Sequence, residues 1–561
     1  MLVSPRIVQQ RGRLRLLAVS VLMVAAFFVF KHQKLSMSSS WSLLSDQKAP
    51  SACHPDLAAL DGLKGDLTPA FRYSRRCVQA VFRPEHTSTS HAAVRRRPTV
   101  MDGHLIPETV VINRTADCGP PQPLACEPLA LEVTQPYPSG NYSHLLFGVA
   151  SSHTRMLQAL DGFAHWLGGT EGRLVAIVQE EDGTIEEEAG DGGAVRQTRE
   201  ENKNTLARLA GLEQAYRARG VHLTALPPQN RAARTVVQNH FAILGVLLDV
   251  ASPSTHWLGI VDDDTFVPSL YKLDQTLRRY NASRSTWLGA LSEDFDSVAR
   301  WGYMAYGGAG VFLSVPLARE LRPHMAECLR ARAGGPVTGS LLVGATSSSS
   351  STSNLAAGAV KMTGDGLLRD CIYRHTTTKL TVVPGLYQHD LYGDLSGFYE
   401  SGVLPLSVHH WRSWYKVPMA KMAGVTQVCG DCFLGRWLWT SPKGTRTNPS
   451  AGGVRTDSLG TSPGATLLSN GYSITQYQAL PDLAQMELTW SHAGSEFDFS
   501  LGPLRPALNE TQKKSFRLKE AIVDKTGLRQ VYVYKGDFGT DEMDEVFELV
   551  WSLTEVVNKA T

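Results

Sequence analysis

From residue 141 onward the chain alternates short apolar runs with amphipathic stretches. His144–Ala150 (HLLFGVA) is an unbroken apolar run of strand length. The hydroxyl pair Ser151-Ser152 then suits a helix start, and Met156, Leu157, Leu160 and Phe163 recur on one helical face. Leu174–Val178 predicts a second strand, Leu206–Ala218 a helix and Val221–Ala225 a third strand. Asn230–Val250 predicts a longer helix, with Val236, Val237, Phe241, Leu244, Leu247 and Leu248 apolar. Pro253 ends it, and His256–Val261 follows as another strand. Such alternation predicts an α/β domain on a mostly parallel sheet, here over residues 136–440. Two stretches interrupt it: an acidic, Gly-rich surface loop at 180–200, and an insertion at 331–360 containing Ser347–Ser351. A Gly/Ser/Thr-rich linker at 441–465 leads to residues 466–561, where Gln530–Tyr534 and Val546–Trp551 read as strands. A β-rich accessory domain is expected there.

The N-terminal third has a different pattern. Leu16–Phe30 is an apolar run of 15 residues, close to the roughly 17–25 that span a bilayer. Arg6, Arg11, Arg13 and Arg15 precede it; Lys31 and Lys34 follow. That bias predicts a cytosolic tail at 1–15, a signal anchor at 16–30 and a lumenal remainder. A cleaved signal peptide is the rival reading, but no small-x-small site follows Phe30. Residues 31–135 are rich in Ser, Pro and His and read as a stem with a loop-rich lead-in. Asn113, Asn141, Asn281 and Asn509 each open a glycosylation sequon, and all eight cysteines follow the anchor. Pairing of sequence neighbours gives 53–77, 118–126, 328–371 and 429–432. The net charge of +2, without a basic stripe interleaved with aromatics, excludes a nucleic-acid partner. Arg95-Arg96-Arg97 reads as a solvated loop or a processing site.

The chemistry concentrates after the His256–Val261 strand, which runs directly into Asp262-Asp263-Asp264. Ligands of open α/β sheets bind beyond the carboxyl ends of strands. With period-two geometry, Asp262 and Asp264 share one side and Asp263 takes the other. Adjacent carboxylates repel, so the triplet reads as a site for Mg²⁺, Mn²⁺ or Ca²⁺, or else as an acidic turn that caps a helix. An EF-hand fails, because Val267 and Leu273 stand where its Gly and Glu belong. Downstream, Gly307-Gly308-Ala309-Gly310 leads into Val311–Val315 and offers close backbone approach to a ligand, or simply a tight turn. Asp365, within Gly364-Asp365-Gly366, reads as a helix N-cap or as a general base for a hydroxyl. His409 and His410 fall on an expected strand, where only one faces a given side. Each reads as a metal ligand or as a satisfied histidine in a cleft wall.

In this order the pieces resemble family 31 of the glycosyltransferases, the fringe-like and core-1 galactosyltransferase-like β-1,3-transferases, with the fungal members most similar. The resemblance spans His144 to Trp439 and includes Phe147–Arg155 (FGVASSHTR), Asp262–Asp264, Gly307–Gly310, Gly364–Gly366 and His409-His410-Trp411. It implies a GT-A fold, a UDP-sugar donor, a glycan or glycoprotein acceptor, Mn²⁺ (or Mg²⁺) and inversion at the anomeric carbon. It implies that Asp264 ligates the metal, with Asp262 and one of His409 and His410 beside it. It implies that Asp365 is the base, and that Arg155, Asp263 and Gly308 lie near the nucleotide-sugar. It also implies a single-pass Golgi or endoplasmic-reticulum protein with its catalytic domain in the lumen. This chain has Gly364-Asp365 where the family often has two adjacent acids. A degenerate, carbohydrate-binding protein on the same fold is therefore the alternative.

Overall fold

The computed structural model describes residues 65–83, 95–113, 126–179, 199–228, 235–330, 363–440, 464–491, 501–525, 527–536 and 543–552, together with Leu60, Gly62, Leu63 and Leu124. The expected anchor at 16–30, the insertion at 331–360 and residues 441–463 of the linker lie outside them. Among the described residues no helix is long and apolar enough to cross a membrane. Leu63–Asn113 and Ala125–Thr561 form one compact unit, which holds every element below.

A seven-stranded sheet runs in the order Leu380–Val382, Trp287–Gly289, Val311–Ser314, Trp257–Ile260, Leu145–Ser152, Arg173–Gln179, His222–Leu226. The last four strands in that order are mutually parallel, while Val311–Ser314 runs antiparallel to its neighbours. Alternation along Leu145–Ser152 divides the core. Leu145, Phe147 and Val149 meet the helix His153–Leu167 through Met156, Phe163 and Trp166. Leu146 faces the other side, where Val236–Val250 buries Phe241, Ile243, Leu244 and Leu247. Each such side chain contributes about 1.5–3 kcal/mol relative to exposure. The chain order reverses between Leu145–Ser152 and Trp257–Ile260, so a crevice opens at their carboxyl ends.

The second sheet corrects two expectations. Its ten strands include Ala70–Phe82, Thr99–Met101, Val110–Asn113 and Glu127–Val133 from the expected stem and lead-in. They share the sheet with Arg436–Thr440, Ala465–Ser469, Ser473–Tyr477, Lys513–Asp524, Gly527–Tyr534 and Glu545–Ser552. The C-terminal segment is strand-rich as expected, but it is not a separate domain. Ala70–Phe82 pairs in parallel with Glu545–Ser552, and Arg72, Arg75 and Arg76 break its apolar alternation. Arg75 is nevertheless buried, because its Nε lies 2.8 Å from Glu548 of the last strand. Arg76 is buried against Glu127 at 2.7 Å and the carbonyls of His104 and Leu105.

The disulfides follow the strands. Cys77 bonds Cys126, not Cys53, because Ala70–Phe82 lies beside Glu127–Val133 with Cys77 opposite Pro128. Cys53 and Cys118 lie outside the described residues. Cys328–Cys371 and Cys429–Cys432 form as sequence proximity suggested.

Candidate active site

The crevice is a cleft of about 490 Å³, walled by Ser151, Ser152, Arg155, Asp262–Asp264, His409 and His410. Asp262–Asp264 follow the Trp257–Ile260 strand after one residue, Val261. Thr265 closes the turn: its hydroxyl accepts from Asp262 N at 2.9 Å and donates to Gly308 O at 2.9 Å. Phe266 and Val408 then exchange two backbone hydrogen bonds, of 2.8 and 2.9 Å. This bridge delivers His409 to the aspartates. Phe266, Val408 and Trp411 all belong to the core shared with the ten-stranded sheet, which thereby supports the histidine segment.

Asp262 and Asp264 turn to the same side. His409 Nε2 lies 2.9 Å from Asp264 Oδ1 and 3.4 Å from Asp262 Oδ2. The expectation that only one histidine faces the site fails, because the strand ends at Val408 and His410 has φ +55°. A left-handed non-glycine residue is uncommon and costs on the order of 1–3 kcal/mol. Here it turns the second ring back, and Asp264, His409 and His410 offer ligand atoms within 4.8 Å of one another. His410 stacks on Trp414 with ring centroids 3.6 Å apart, and its Nε2 lies 3.2 Å from Asp390 Oδ1.

Burial and pairing set the charges. Burial opposes the His409 cation, but the Asp264 hydrogen bond and charge override it and hold His409 up at about 9. Burial likewise opposes ionised Asp264, yet the His409 hydrogen bond keeps its carboxyl well below the usual range. Asp262 goes up, because burial outweighs His240 and His409. His410 goes down through burial and the neighbouring His409 charge.

Asp263 points the other way, as alternation requires. Its carboxylate accepts from the Ser151 hydroxyl, from Arg155 Nε and Nη2 at 2.6 Å each, and from Arg412 Nη2 at 2.8 Å. It is engaged with the protein, so its bearing on a ligand is through the two arginines. Arg155 keeps 51% of its side chain exposed at the mouth.

Asp365 lies on the helix Gly364–His375, one imidazole ring away from Asp262. The N-cap reading is corrected: Thr363 is the cap, accepting from Gly366 N at 3.1 Å, and Asp365 sits in the first turn. Its Oδ2 accepts from Gly307 N at 2.9 Å, and its Oδ1 lies 2.8 Å from His240 Nε2. The other nitrogen of His240 lies 3.4 Å from Asp262 Oδ1. Burial pulls His240 down, but the charge and hydrogen bond of Asp365 override it and raise His240 to about 9.

The glycine run serves these rings. A Cβ on Gly308 would fall 2.1 Å from His409 Nδ1, and one on Gly307 would fall 2.9 Å from the His240 ring. The space expected for a ligand over Gly308 is filled by His409. Sequence reading missed His240, Asp390, Arg412 and Trp414. The one signal for His240 was a lone ionisable residue inside the apolar stretch VVQNHFAILG.

Residues 228–354 match the family model for a Fringe-like domain. No curated protein matches the chain. Among solved structures, it is similar to a mannosyltransferase from Pyrobaculum calidifontis in complex with GDP-Man and Mn²⁺, at 13% identity and a TM-score of 0.22, covering 44% of this chain. The chain spans 60% of that enzyme's length. It is also similar to the galactosyltransferase LgtC in complex with donor and acceptor sugar analogues, at 8% identity and a TM-score of 0.27, covering 53% of this chain and 98% of that one. The glycosyltransferase GlyE of Streptococcus pneumoniae gives 9% identity and a TM-score of 0.29, covering 51% and 60%.

Proposed function

From the Fringe-like domain at residues 228–354, we propose that this chain is a metal-dependent, inverting glycosyltransferase of GT-A type. It moves a sugar from a UDP-sugar to a hydroxyl of a glycan or glycoprotein, forming a β-1,3 linkage. The observation that carries this reading is the cleft itself: Asp264 is hydrogen-bonded to His409 beyond the strand end, and His240 joins the cleft aspartate Asp262 to Asp365.

A divalent cation fits the donor set. One carboxylate and two imidazoles converge within 4.8 Å, with His409 Nε2 turned to Asp264 and Asp262. Asp264, His409 and His410 would hold Mn²⁺, with Asp262 beside them. Bound there, the cation supplies positive charge where the leaving diphosphate develops negative charge. The residues of the chain do the rest. Arg155, fixed by Asp263 yet half exposed, meets the anionic nucleotide at the mouth. Asp365 takes the acceptor proton as the acceptor oxygen attacks the anomeric carbon and the bond to UDP breaks. Attack from the face opposite the leaving group inverts that carbon.

The chain is further proposed to be anchored by residues 16–30 with its catalytic unit in the Golgi or endoplasmic-reticulum lumen. The three disulfides among the described residues and the exposure of all four sequon asparagines support this placement.

A screen of UDP-sugars and glycan acceptors with the lumenal fragment, with and without Mn²⁺, tests the reading. Acceptor-stimulated UDP release that needs the metal is expected. Release that proceeds at full rate with water alone sinks the transferase assignment.

A further inference from the structure

Two groups hold the Asp365 carboxylate, and one of them has had no role so far. We propose that His240 is a positioning residue that ties Asp365 to the cleft aspartate Asp262, holding Asp365 through Nε2 and Asp262 through Nδ1. The inference rests on the reading of Asp365 as the base.

Three observations carry it. First, both ring nitrogens face carboxylates of the cleft, at 2.8 Å from Asp365 Oδ1 and 3.4 Å from Asp262 Oδ1. Asp262 lines the cleft and is 36% exposed, and Asp365 beside the same ring is 16% exposed. With Gly307 N on Oδ2 at 2.9 Å, Asp365 is held at both oxygens and its side-chain torsion is fixed. Second, the ring sits in a slot made by two separate segments. A Cβ on Gly364 would fall 2.6 Å from His240 Cδ2, and one on Gly307 would fall 2.9 Å from Nε2. The ring has no room to turn. Third, the helix that carries it is firmly placed. Thr235 and Gln238 form a reciprocal capping box, and Phe241 and Leu244 are fully buried on the sheet. A misplacement of a reacting group by about 1 Å costs roughly 10²-fold in rate. A rigid imidazole between the nucleotide-side aspartate and the base prevents such drift.

The two nitrogens can be tested apart. A glutamine amide reaches the Nε2 position, and an asparagine amide reaches the Nδ1 position. His240→Asn is expected to lower kcat roughly 10²-fold, with UDP–Mn²⁺ binding by calorimetry within about twofold of the wild type. His240→Gln is expected to restore kcat to within about tenfold of the wild type while weakening UDP–Mn²⁺ binding several-fold. Equal kcat losses in both variants at an unchanged thermal midpoint overturn the proposal, as does wild-type kcat in His240→Asn. If an amide variant fails to fold, His240→Phe fills the slot without a donor. It is expected to match His240→Asn in kcat and His240→Gln in UDP–Mn²⁺ binding, and wild-type kcat there has the same overturning force. Asp365→Asn, measured alongside, keeps the two claims apart. Full turnover in that variant removes the base assignment, whereas a dead Asp365→Asn beside an unaffected His240→Asn removes only the role of His240.

Discussion

The ten-stranded sheet and the cleft both bury carboxylates and, apart from Asp263, which Arg155 and Arg412 hold, they neutralise them with different cations. In the sheet, Glu548 meets Arg75 at 2.8 Å and Arg529 at 2.7 Å, and Glu545 meets Arg72 at 2.9 Å and Lys514 at 3.0 Å. In the cleft, Asp262, Asp264 and Asp365 meet His240 and His409. Guanidinium and ammonium groups keep their charge at physiological pH, while an imidazole can release its proton. A carboxylate locked to arginine is therefore a fixed part of the scaffold. A carboxylate paired with histidine can exchange that partner for a metal, a proton or a substrate hydroxyl. Charge burial alone does not mark a functional site; the kind of counter-charge does.

The sharpest way to test this contrast is to remove one carboxylate from each region. Asp264→Asn is expected to lower metal-dependent turnover by about 10³-fold or more, with an unchanged thermal midpoint, since an amide still reaches His409. Substantial residual turnover would place the metal elsewhere. Glu548→Ala is expected to do the opposite. It takes the carboxylate from the buried Arg75, which keeps the Tyr73 hydroxyl, and costs about 3–5 kcal/mol in urea denaturation, while the folded fraction keeps its Mn²⁺ affinity. A loss below about 1 kcal/mol would show that the sheet tolerates an unpaired arginine.

The titratable side of the contrast has its own signature. His409 keeps its proton up to about 9 in the absence of metal, and a ligating imidazole must be neutral. Metal binding thus displaces a proton, and apparent Mn²⁺ affinity rises with pH by roughly tenfold per unit between about 6 and 8 before flattening above the His409 value. Calorimetry in buffers of different ionisation enthalpy reads the released proton directly. A pH-independent affinity would exclude His409 as a ligand. The smallest effect comes from the helix that carries His240. Thr235→Ala removes its capping box and is expected to cost about 1 kcal/mol of stability, measured by thermal unfolding. No measurable loss would mean that tertiary packing alone sets that helix.

Much of the seven-stranded sheet was legible, because its strands are buried on both faces and read as continuous apolar runs bounded by helical patterns. The aspartate triplet was legible for the same reason: three charges directly after HWLGIV stand out. The sides taken by Asp262 and Asp263 followed from alternation alone. His240 was not legible. Its meaning comes from a residue 125 positions away, and a single histidine in a helix core is ordinary until its partners are known. The joint approach of His409 and His410 was misread, because nothing in the sequence announces the left-handed turn at His410. The ten-stranded sheet was misread because Ala70–Phe82 carries three arginines. Their burial depends mainly on acids elsewhere in the chain, two of them in the last described strand.

That pairing of Ala70–Phe82 with Glu545–Ser552 also bears on how the molecule is made. Arg75 and Glu548 are 473 residues apart, so the strand emerges from the ribosome long before its neighbour exists. At about 5–20 residues per second, it waits tens of seconds with one edge open and with Arg72 and Arg75 lacking Glu545 and Glu548. The seven-stranded sheet can assemble meanwhile, since its parallel strands are consecutive and joined by short crossovers. Final closure of the larger sheet waits for Glu545–Ser552 to emerge, and a nascent chain stalled before residue 545 is expected to expose that edge to chaperones.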